Sequence, residues 1–411
     1  MPRRLVVCGE LWDPRGRLGE QCVVAENGYI AALREEPVEA DTVLEYRGRE
    51  GLVLPGFVDL HVHLRGLGLS YKEDEYTGSL AAAAGGVTLV ADMPNTVPRL
   101  DSVEALQAKL RALERSSVVD YAVYAAIPPS PEQVPKLAKL PRVAGFKVYP
   151  RDLEERWSSV RRALAMEKLL VIVHPELPEA EKPITSNEDS RRALRACHWE
   201  VAAVEEIAGL EPRARIHITH ATCPSTVAAA KKNGFTVDTT PTYLLLDPGN
   251  DCLHRVNPPI RGLAEKQRLL QQLLGGAIDA LASDHAPHAP REKSGDPLLC
   301  PPGVPWLEHW PSAMYCLVAS GALRIEEFLK LASLHPAQIL GEKNHGLLEP
   351  GYRADMVVAR EATSRAMANT YSRARLAPYT LRPIPECLEV TATIVAGAVV
   401  YPLGASSPPT S

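Results

Sequence analysis

Two histidines stand one residue apart in the stretch GFVDLHVHLRGL, residues 56–67, at the end of an apolar run and just before an arginine. Side chains alternate between the two faces of a strand, so Asp59, His61 and His63 share one face. Imidazole is a common ligand for zinc. Such a pair also occurs in polar strand ends that bind no metal, so by itself it leaves both interpretations open.

Four more side chains that could complete a metal site lie at the ends of other apolar runs: Lys147 in GFKV, His174 in LLVIVH, His220 in ARIHITH and Asp284 in AIDALASDH. In a barrel of parallel strands the carboxyl ends of all strands meet at one face. We therefore expect these residues to converge with the histidine pair. The same alternation turns His217 outward, where it is predicted to pack between strand and helix.

Lys147 requires a separate argument, because an ammonium group has no lone pair and would repel a dication. Its simplest role is a salt bridge at a strand end. A lysine desolvated near metal charge can instead lose its proton and add carbon dioxide, and the resulting carbamate can bridge two metals as a carboxylate would. Four histidines, one carbamate and one aspartate are the right number of ligands for two zinc ions that share a hydroxide.

The elements that would position these residues alternate between β-branched runs and helical patterns, which is typical of strand–helix units around a parallel sheet. About eight strands are predicted, the number that closes a barrel: residues 57–63, 87–92, 121–126, 143–148, 169–174, 216–220, 236–239 and 278–284. Asp101 and Glu104 form a capping box that opens one helix, and Pro224 opens another.

The two ends of the chain read as short strands with turns, as in QCVVAENGYIAAL and TATIVAGAVVYP. We expect residues 1–55 and 346–411 to pair into one small β-domain beside a barrel of residues 56–345. The predicted fold class is α/β, a TIM-like (β/α)8 barrel with a small β-sandwich domain formed by the N- and C-terminal segments.

Composition excludes several classes of function. A net charge of -5 on 411 residues, without a basic run, argues against nucleic acid as a partner. No segment reads as a membrane span or a signal peptide, so we expect a cytoplasmic protein. Eight cysteines without a CxxC pair or a dense framework favour reduced thiols. The remaining histidines are predicted to be surface or packing residues: His198, His254, His309, His335 and His345.

Taken together, PGFVDLHVHLR, KEDEYTGSLAAAAGGVTLVADMPNT, GFKVY, VNPPIR and SDHAPH closely resemble the dihydroorotases, cyclic amidohydrolases of the amidohydrolase superfamily that act in pyrimidine synthesis. The resemblance is weaker to allantoinases and hydropyrimidinases. It extends over essentially the whole chain, including GLLEPGYRADMVV near the C-terminus.

The resemblance implies that two zinc ions bind per chain. His61 and His63 would bind one ion with Asp284, His174 and His220 would bind the other, and carboxylated Lys147 would bridge them. Asp284 would act as general base and then acid while metal-bound hydroxide opens dihydroorotate, and the reverse path would cyclise N-carbamoyl-L-aspartate. A homodimer or an assembly with aspartate transcarbamoylase is implied as well.

The same resemblance implies a substrate pocket. Arg65 can hold the ring carboxylate with two parallel hydrogen bonds, and Asn95 and His288 would complete that pocket. Asn257 and the backbone around Pro302 and Gly303 would contact the pyrimidine ring.

One segment departs from the family pattern. Many relatives continue after the arginine with Glu-Pro-Gly, whereas Arg65 is followed here by GLGLSY, which puts substrate positioning in question. Two alternatives stay open: another cyclic-amide hydrolase, such as an allantoinase, hydantoinase or dihydropyrimidinase, and a non-catalytic scaffold subunit. Arg65, Asn95 and His288 would be left unpaired by a substrate without a carboxylate, and all six ligand positions are filled.

Overall fold

A computed structural model describes residues 4–48, 51–182, 187–362, 371–375 and 384–402 of the chain. Its strands are β1 (Arg4–Asp13), β2 (Gly16–Glu26), β3 (Tyr29–Arg34), β4 (Thr42–Glu45), β5 (Leu52–Pro55), β6 (Phe57–Val62), β7 (Val87–Asp92), β8 (Asp120–Ala126), β9 (Val143–Val148), β10 (Leu170–Val173), β11 (Arg215–Ile218), β12 (Thr236–Thr239), β13 (Ala280–Leu281), β14 (Met356–Glu361), β15 (Leu388–Val395) and β16 (Ala398–Tyr401).

The α-helices are α1 (Glu75–Ala84), α2 (Val103–Ser116), α3 (Val134–Leu137), α4 (Asp152–Glu155), α5 (Trp157–Leu164), α6 (Glu188–Leu194), α7 (Cys197–Gly209), α8 (Pro224–Lys232), α9 (Pro241–Leu245), α10 (Leu263–Leu274), α11 (Trp310–Ala319), α12 (Ile325–Leu329) and α13 (His335–Leu340). A π-helical turn, Lys330–Leu334, joins α12 to α13. Within the described residues, no helix combines the length and the hydropathy that a membrane crossing requires.

Eight parallel strands, β6 to β13, pair in chain order. The barrel closes between its last and first segments. Val62 forms a parallel bridge with His285, and the His63 N–H donates to the His285 carbonyl at 2.8 Å. Buried side chains such as Leu60, Tyr124 and Ile172 fill the interior. This is the predicted TIM-like barrel, and the prediction of the fold class is confirmed.

The second sheet runs in the order β16-β15-β14-β5-β1-β2-β3, with β4 paired to β1. Side chains from both arms of this sheet, among them Val23 of β2 and Ile394 of β15, share one core as in a sandwich. Gly56 separates β5 from the first barrel strand. A side chain there would collide with Thr88, since a Cβ would lie 2.2 Å from Oγ1, so the passage from sheet to barrel requires glycine.

Several predicted elements agree with the observed ones in their bounds. β7, β9 and β12 have the predicted bounds, and α8 begins at Pro224, as predicted. The last barrel strand is shorter than predicted, because the backbone turns toward the carboxyl face and Asp284 takes a φ of 46°. The cap of α2 is Ser102, whose side chain accepts from the Ala105 N–H, and not Asp101.

The expectation of reduced thiols is wrong. All eight cysteines are paired, as Cys8–Cys22, Cys197–Cys223, Cys252–Cys300 and Cys316–Cys387. The partners lie between 14 and 71 residues apart, so only the fold brings them together. Cys8 and Cys22, for example, face each other across the antiparallel β1–β2 pair. Spacing along the chain carries no such signal.

Candidate active site

A cavity of about 280 Å3 opens at the carboxyl ends of the barrel strands. All twelve predicted site residues line it: His61, His63, Arg65, Asn95, Lys147, His174, His220, Asn257, Asp284, His288, Pro302 and Gly303. Tyr149, Pro150, Glu181 and Ala286 complete the lining. The structure thus brings the predicted residues together, while their roles as ligands and substrate contacts stay predictions.

His61 and His63 point their Nε2 atoms at one carboxylate. Each Nε2 lies 3.2 Å from Oδ1 of Asp284, and the three side chains form a group that could hold a metal ion. Burial raises the pKa of Asp284, but the hydrogen bond with His63 and the interactions with His220 and Lys147 outweigh it and lower that pKa. Asp284 is therefore ionised at neutral pH.

The opposite ring nitrogens of this pair are held by neighbouring side chains. His61 Nδ1 lies 2.5 Å from Thr219 Oγ1, which donates to Asp238 at 3.1 Å. His63 Nδ1 donates to Asn95 Oδ1 at 2.6 Å. Because these contacts occupy Nδ1, they leave the two Nε2 atoms to face the cavity, which is how ligand histidines are oriented in metal sites.

His174 and His220 form the other half of the cluster, with ring centroids 4.6 Å apart. His174 Nε2 contacts Glu176 Oε2 at 2.7 Å, and Glu176 is in turn held by Arg195, whose Nε lies 3.0 Å from Oε1. This leaves Nδ1 of His174 as its free ring nitrogen. Burial, together with nearby positive charge, lowers the pKa of both imidazoles, so both are neutral and able to bind a metal.

Lys147 lies between the two halves, on β9. Its side chain is fully buried, and Nζ has no hydrogen-bond partner among the described residues. Burial lowers the pKa of Lys147 to about 7, although Asp284 and Asp238 oppose the shift. Among the described residues this buried amine forms no salt bridge, and it lines the same cavity as the four histidines and Asp284.

Arg65 and Lys72 lie on either side of His288, and we call these three residues the cationic corner of the cavity. Arg65 Nε donates to the Pro287 carbonyl at 3.2 Å, and Arg65 Nη2 lies 3.3 Å from Nε2 of His288. Burial and the charges of Arg65 and Lys72 lower the pKa of His288 to about 2, so this imidazole is neutral. Lys72 Nζ, 3.1 Å from His288 Nδ1, adds a second cation that the sequence analysis missed.

Asn257, Pro302 and Gly303 also line the cavity, and the Pro302 carbonyl lies 3.0 Å from Nε2 of His288. The Gly303 N–H donates to the Arg255 carbonyl at 2.9 Å, which ties the two loops together. Gly303 has a φ of 139°, and a Cβ there would lie 2.6 Å from the Ala286 carbonyl. Backbone can therefore approach a ligand closely at this point.

Of the other lining residues, Tyr149 could have been found from the sequence. It lies two residues beyond Lys147, so alternation places both on one face. Glu181 carries no such signal, because it comes from a loop far along the chain.

His217 is a packing histidine, as predicted, with its ring nitrogens 2.8 Å from Thr236 and 2.8 Å from Asp238. The predicted outward orientation is wrong: Asp238 also accepts from Thr219, which contacts His61, whereas Ile216 and Ile218 pack in the layer between strands and helices. Alternation fails here because the backbone takes a φ of 43° at His220.

A second group with metal-binding geometry, Asp120, His345 and Asp355, lies outside this cavity. Arg353 Nη2 is in close contact with Asp120, and its Nε lies 3.5 Å from Asp355. The guanidinium therefore already supplies the cation that these carboxylates need. We interpret the group as an ion-pair network, so His345 is a packing histidine in a charged setting.

The fold and the cavity together define a barrel hydrolase with a candidate metal centre at the carboxyl ends of its strands. A model of the family described as "Amidohydrolase family" matches residues 52–400. The chain belongs to the amidohydrolase family.

Its relatives agree with this placement. The chain is 40% identical to a dihydroorotase of Aeropyrum pernix over 93% of this chain and 91% of the relative. It is 32% identical to a dihydroorotase of Bacillus caldolyticus, with 87% and 89% covered. Among solved structures, L-hydantoinase (dihydropyrimidinase) from Arthrobacter aurescens superposes with a TM-score of 0.86 over 97% of this chain and 96% of that chain at 23% identity. At that identity the likeness shows the fold alone.

Proposed function

We propose that this chain is a zinc-dependent dihydroorotase that interconverts N-carbamoyl-L-aspartate and L-dihydroorotate, a step of de novo UMP synthesis. One observation carries the proposal: the cationic corner around Arg65 shares a cavity with the histidine, lysine and aspartate cluster. A carboxylate held at that corner places the rest of a small ring over the cluster. The dihydroorotases at 40% and 32% identity support the same substrate.

We assign the ligands of two zinc ions as His61, His63 and Asp284 for one ion and His174 and His220 for the other, with carboxylated Lys147 as the bridge. The unpaired Nζ of Lys147 and the cavity-facing ring nitrogens support the assignment. When bound there, zinc lowers the pKa of a coordinated water and polarises the scissile carbonyl.

Asp284 is the proton carrier in this proposal. Its ionised carboxylate lies 3.2 Å from Nε2 of both His61 and His63, where it can take a proton from the attacking nucleophile. It then delivers that proton to the ring nitrogen as the amide bond breaks. In the reverse direction the same carboxylate accepts the proton from the carbamoyl nitrogen.

The substrate carboxylate is held by Arg65, with Asn95 and His288 beside it. Asn95 Oδ1 accepts from His63, so its Nδ2 is left to donate to an anion. Asn257 and the backbone of Pro302 and Gly303 face the ring. Hydantoinases and dihydropyrimidinases share the fold, but a substrate without a carboxylate would leave buried Arg65 unpaired, which such sites reject strongly.

The test is paired: elemental analysis of metal per chain, and release of carbamoyl aspartate from dihydroorotate compared with hydrolysis of dihydrouracil. We expect two zinc ions and turnover of dihydroorotate alone. In Arg65→Met the KM for dihydroorotate should rise roughly 100-fold, since a buried charge pair is lost. Two zinc ions with turnover of dihydrouracil instead would move the substrate to another cyclic amide, and no metal with no turnover would favour a scaffold subunit.

We also propose a division into domains, a location and an assembly. The two separate sheets support a small β-domain of residues 1–55 and 346–411 beside a barrel of 56–345. A cytoplasmic location fits a biosynthetic enzyme, and disulfides do not oppose it, because intracellular proteins of hyperthermophiles also carry them. We further propose a homodimer or an assembly with aspartate transcarbamoylase, by analogy with the family.

A further inference from the structure

The side-chain amide of Asn257 is held from behind by a buried arginine. Arg191 Nη1 donates to Asn257 Oδ1 at 2.7 Å and to the Val256 carbonyl at 3.1 Å. A guanidinium can only donate, so the amide atom that faces it must be the oxygen. The Nδ2 group is consequently turned away from Arg191, and Asn257 lines the active-site cavity.

Arg191 is itself rigidly placed. Its side chain is 4% exposed, and Nε donates to Glu188 Oε2 at 2.6 Å. Glu188 Oε1 accepts from Arg255 Nη1 at 2.8 Å, and the Arg255 carbonyl accepts from the Gly303 N–H. The loops that carry Asn257 and Gly303, which we call the ring side of the cavity, are thus anchored to α6 through Arg191 and Glu188.

The C-terminal end of α6 also contacts the half of the cavity that contains His174, which we call the metal side. Arg195, which follows α6 and lies one turn after Arg191, holds Glu176, and Glu176 contacts His174. The two arginines act on different halves of the cavity. Removing Arg191 should therefore disturb the ring side and leave the metal side unchanged.

Resting on the proposed function, we propose that Arg191 is a positioning residue that selects substrates with a ring carbonyl oxygen opposite Asn257. It does so by fixing Oδ1, so that only Nδ2 is presented to the ligand. A donor at that point recognises an acceptor, which a cyclic ureide supplies through the carbonyl between its two ring nitrogens. Without Arg191 the amide can rotate and present its oxygen, which repels the same carbonyl.

Steady-state kinetics on the zinc-loaded full chain test this. Arg191→Met should raise the KM for dihydroorotate about tenfold, the effect of one lost hydrogen bond to a fixed donor, with kcat and zinc content close to wild type. Arg191→Lys keeps the charge beside Glu188 and should lie between the two. The matched control is Arg192→Met, on the same helix, whose guanidinium bonds Gly249 and Asn250 outside the cavity; its KM should not change.

Variants of Asn257 separate positioning from general stability. Asn257→Asp keeps an acceptor for Arg191 but has no N–H to donate, so its KM should rise as far as in Asn257→Ala. If Arg191 acts only through Asn257, adding Arg191→Met to Asn257→Ala should raise KM less than twofold further.

Several outcomes would overturn the inference. If the wild type is active and the KM is unchanged in both Arg191 variants, the inference is wrong and the proposed function stands. The same holds if the double variant shows a further tenfold rise in KM over Asn257→Ala. Absence of dihydroorotate turnover in the wild type would instead sink the proposed function. A neutron crystal structure of Arg191→Met supplies a readout that needs no activity, since it distinguishes the amide nitrogen from the oxygen: the Asn257 amide should be rotated or in two orientations, and an unchanged orientation contradicts the positioning role.

Discussion

At the scale of single residues, the chemistry of the cavity depends on ionisable side chains that are buried next to one another. Lys147 has four imidazoles and a carboxylate around it, and burial lowers its pKa to about 7. A neutral amine is the form that adds carbon dioxide, as the proposed bridging role of Lys147 requires. Asp59, deeper in the same strand as the histidine pair, has its pKa raised to about 7 by burial, partly offset by hydrogen bonds from Ser283 and His61.

The first prediction concerns the bridge. Lys147→Ala should lose the second metal and most activity, since several kcal/mol of transition-state stabilisation, roughly a thousandfold in rate, depends on the metal pair. Elemental analysis and turnover of dihydroorotate measure this together. Lys168→Ala, at an exposed lysine, is the control. A Lys147→Ala protein with two metals and full turnover would remove the bridging assignment.

At the scale of elements, strand alternation explains what the sequence could predict. Every predicted ligand position lay at the end of an apolar run, so the rule that strand ends meet at one face of a barrel was enough to bring six side chains together. The supports behind them could not be found this way. Thr219 and Arg191 reach the site through contacts with His61 and Asn257, which are far away in the chain, and the disulfide partners are likewise separated. Such contacts depend on how helices and loops pack after the barrel closes.

The loop after Arg65, which departs from the family pattern, rests on a buried cluster from α1, α2 and β7. Lys109 of α2 is fully buried, with Nζ 2.7 Å from Asp92, 2.9 Å from Glu75 and 3.1 Å from the Arg65 carbonyl. Asp92 also accepts from the Leu64 N–H at 2.8 Å. These contacts hold Arg65 with a φ of 56°, so the altered loop still aims the guanidinium.

We therefore predict that Lys109→Met lowers the free energy of unfolding by about 3–5 kcal/mol, because two buried carboxylates lose their cation. It should also raise the KM for dihydroorotate, since Arg65 is no longer held. Chemical denaturation and steady-state kinetics measure the two effects. Arg111→Met, at an exposed position on the same helix, should change neither. Loss of stability with an unchanged KM would restrict Lys109 to a structural role.

The Cys252–Cys300 disulfide joins the loop that carries Asn257 to the one that carries Pro302 and Gly303. Its partners are 48 residues apart, so opening it should lower the free energy of unfolding by up to about 4 kcal/mol. Cys252→Ser with Cys300→Ser should also raise the KM for dihydroorotate several-fold, because the ring-side loops are released.

The matched control for that pair is Cys8→Ser with Cys22→Ser, in the small sheet. It should lower stability, by about 3 kcal/mol for partners 14 residues apart, and leave the KM at the wild-type value. Equal KM values in the two double variants would mean that the Cys252–Cys300 bond has no specific effect on the pocket.

At the scale of the whole molecule, the barrel and the second sheet are joined at the face opposite the cavity. Asp120 begins β8 at the amino end of the barrel, and Asp355 immediately precedes β14. His345 lies between them, with Nε2 3.2 Å from Asp355 and 4.0 Å from Asp120, and Glu342 is 3.9 Å from Nδ1. Arg353 contacts both aspartates, so this joint carries three carboxylates against one guanidinium and one imidazole.

This balance makes the joint sensitive to pH. Burial opposes protonation of His345, but the surrounding carboxylates outweigh it and raise its pKa to about 9. Because the folded pKa lies above the unfolded value of about 6.5, the stabilisation is fully present below pH 6.5 and is lost as pH rises through 9. The shift corresponds to about 3 kcal/mol.

We predict that wild type and His345→Asn differ in how their free energies of unfolding depend on pH. The free energy of unfolding of wild type minus that of His345→Asn should be positive at pH 6 and smaller by about 3 kcal/mol at pH 10. His198→Asn, at an exposed histidine, should show no such change with pH. Since the joint is remote from the cavity, KM should be unaffected at pH 7. A wild-type advantage over His345→Asn that stays constant from pH 6 to pH 10 would show that His345 acts through packing alone, and that the charge on the imidazole does not hold the two sheets together.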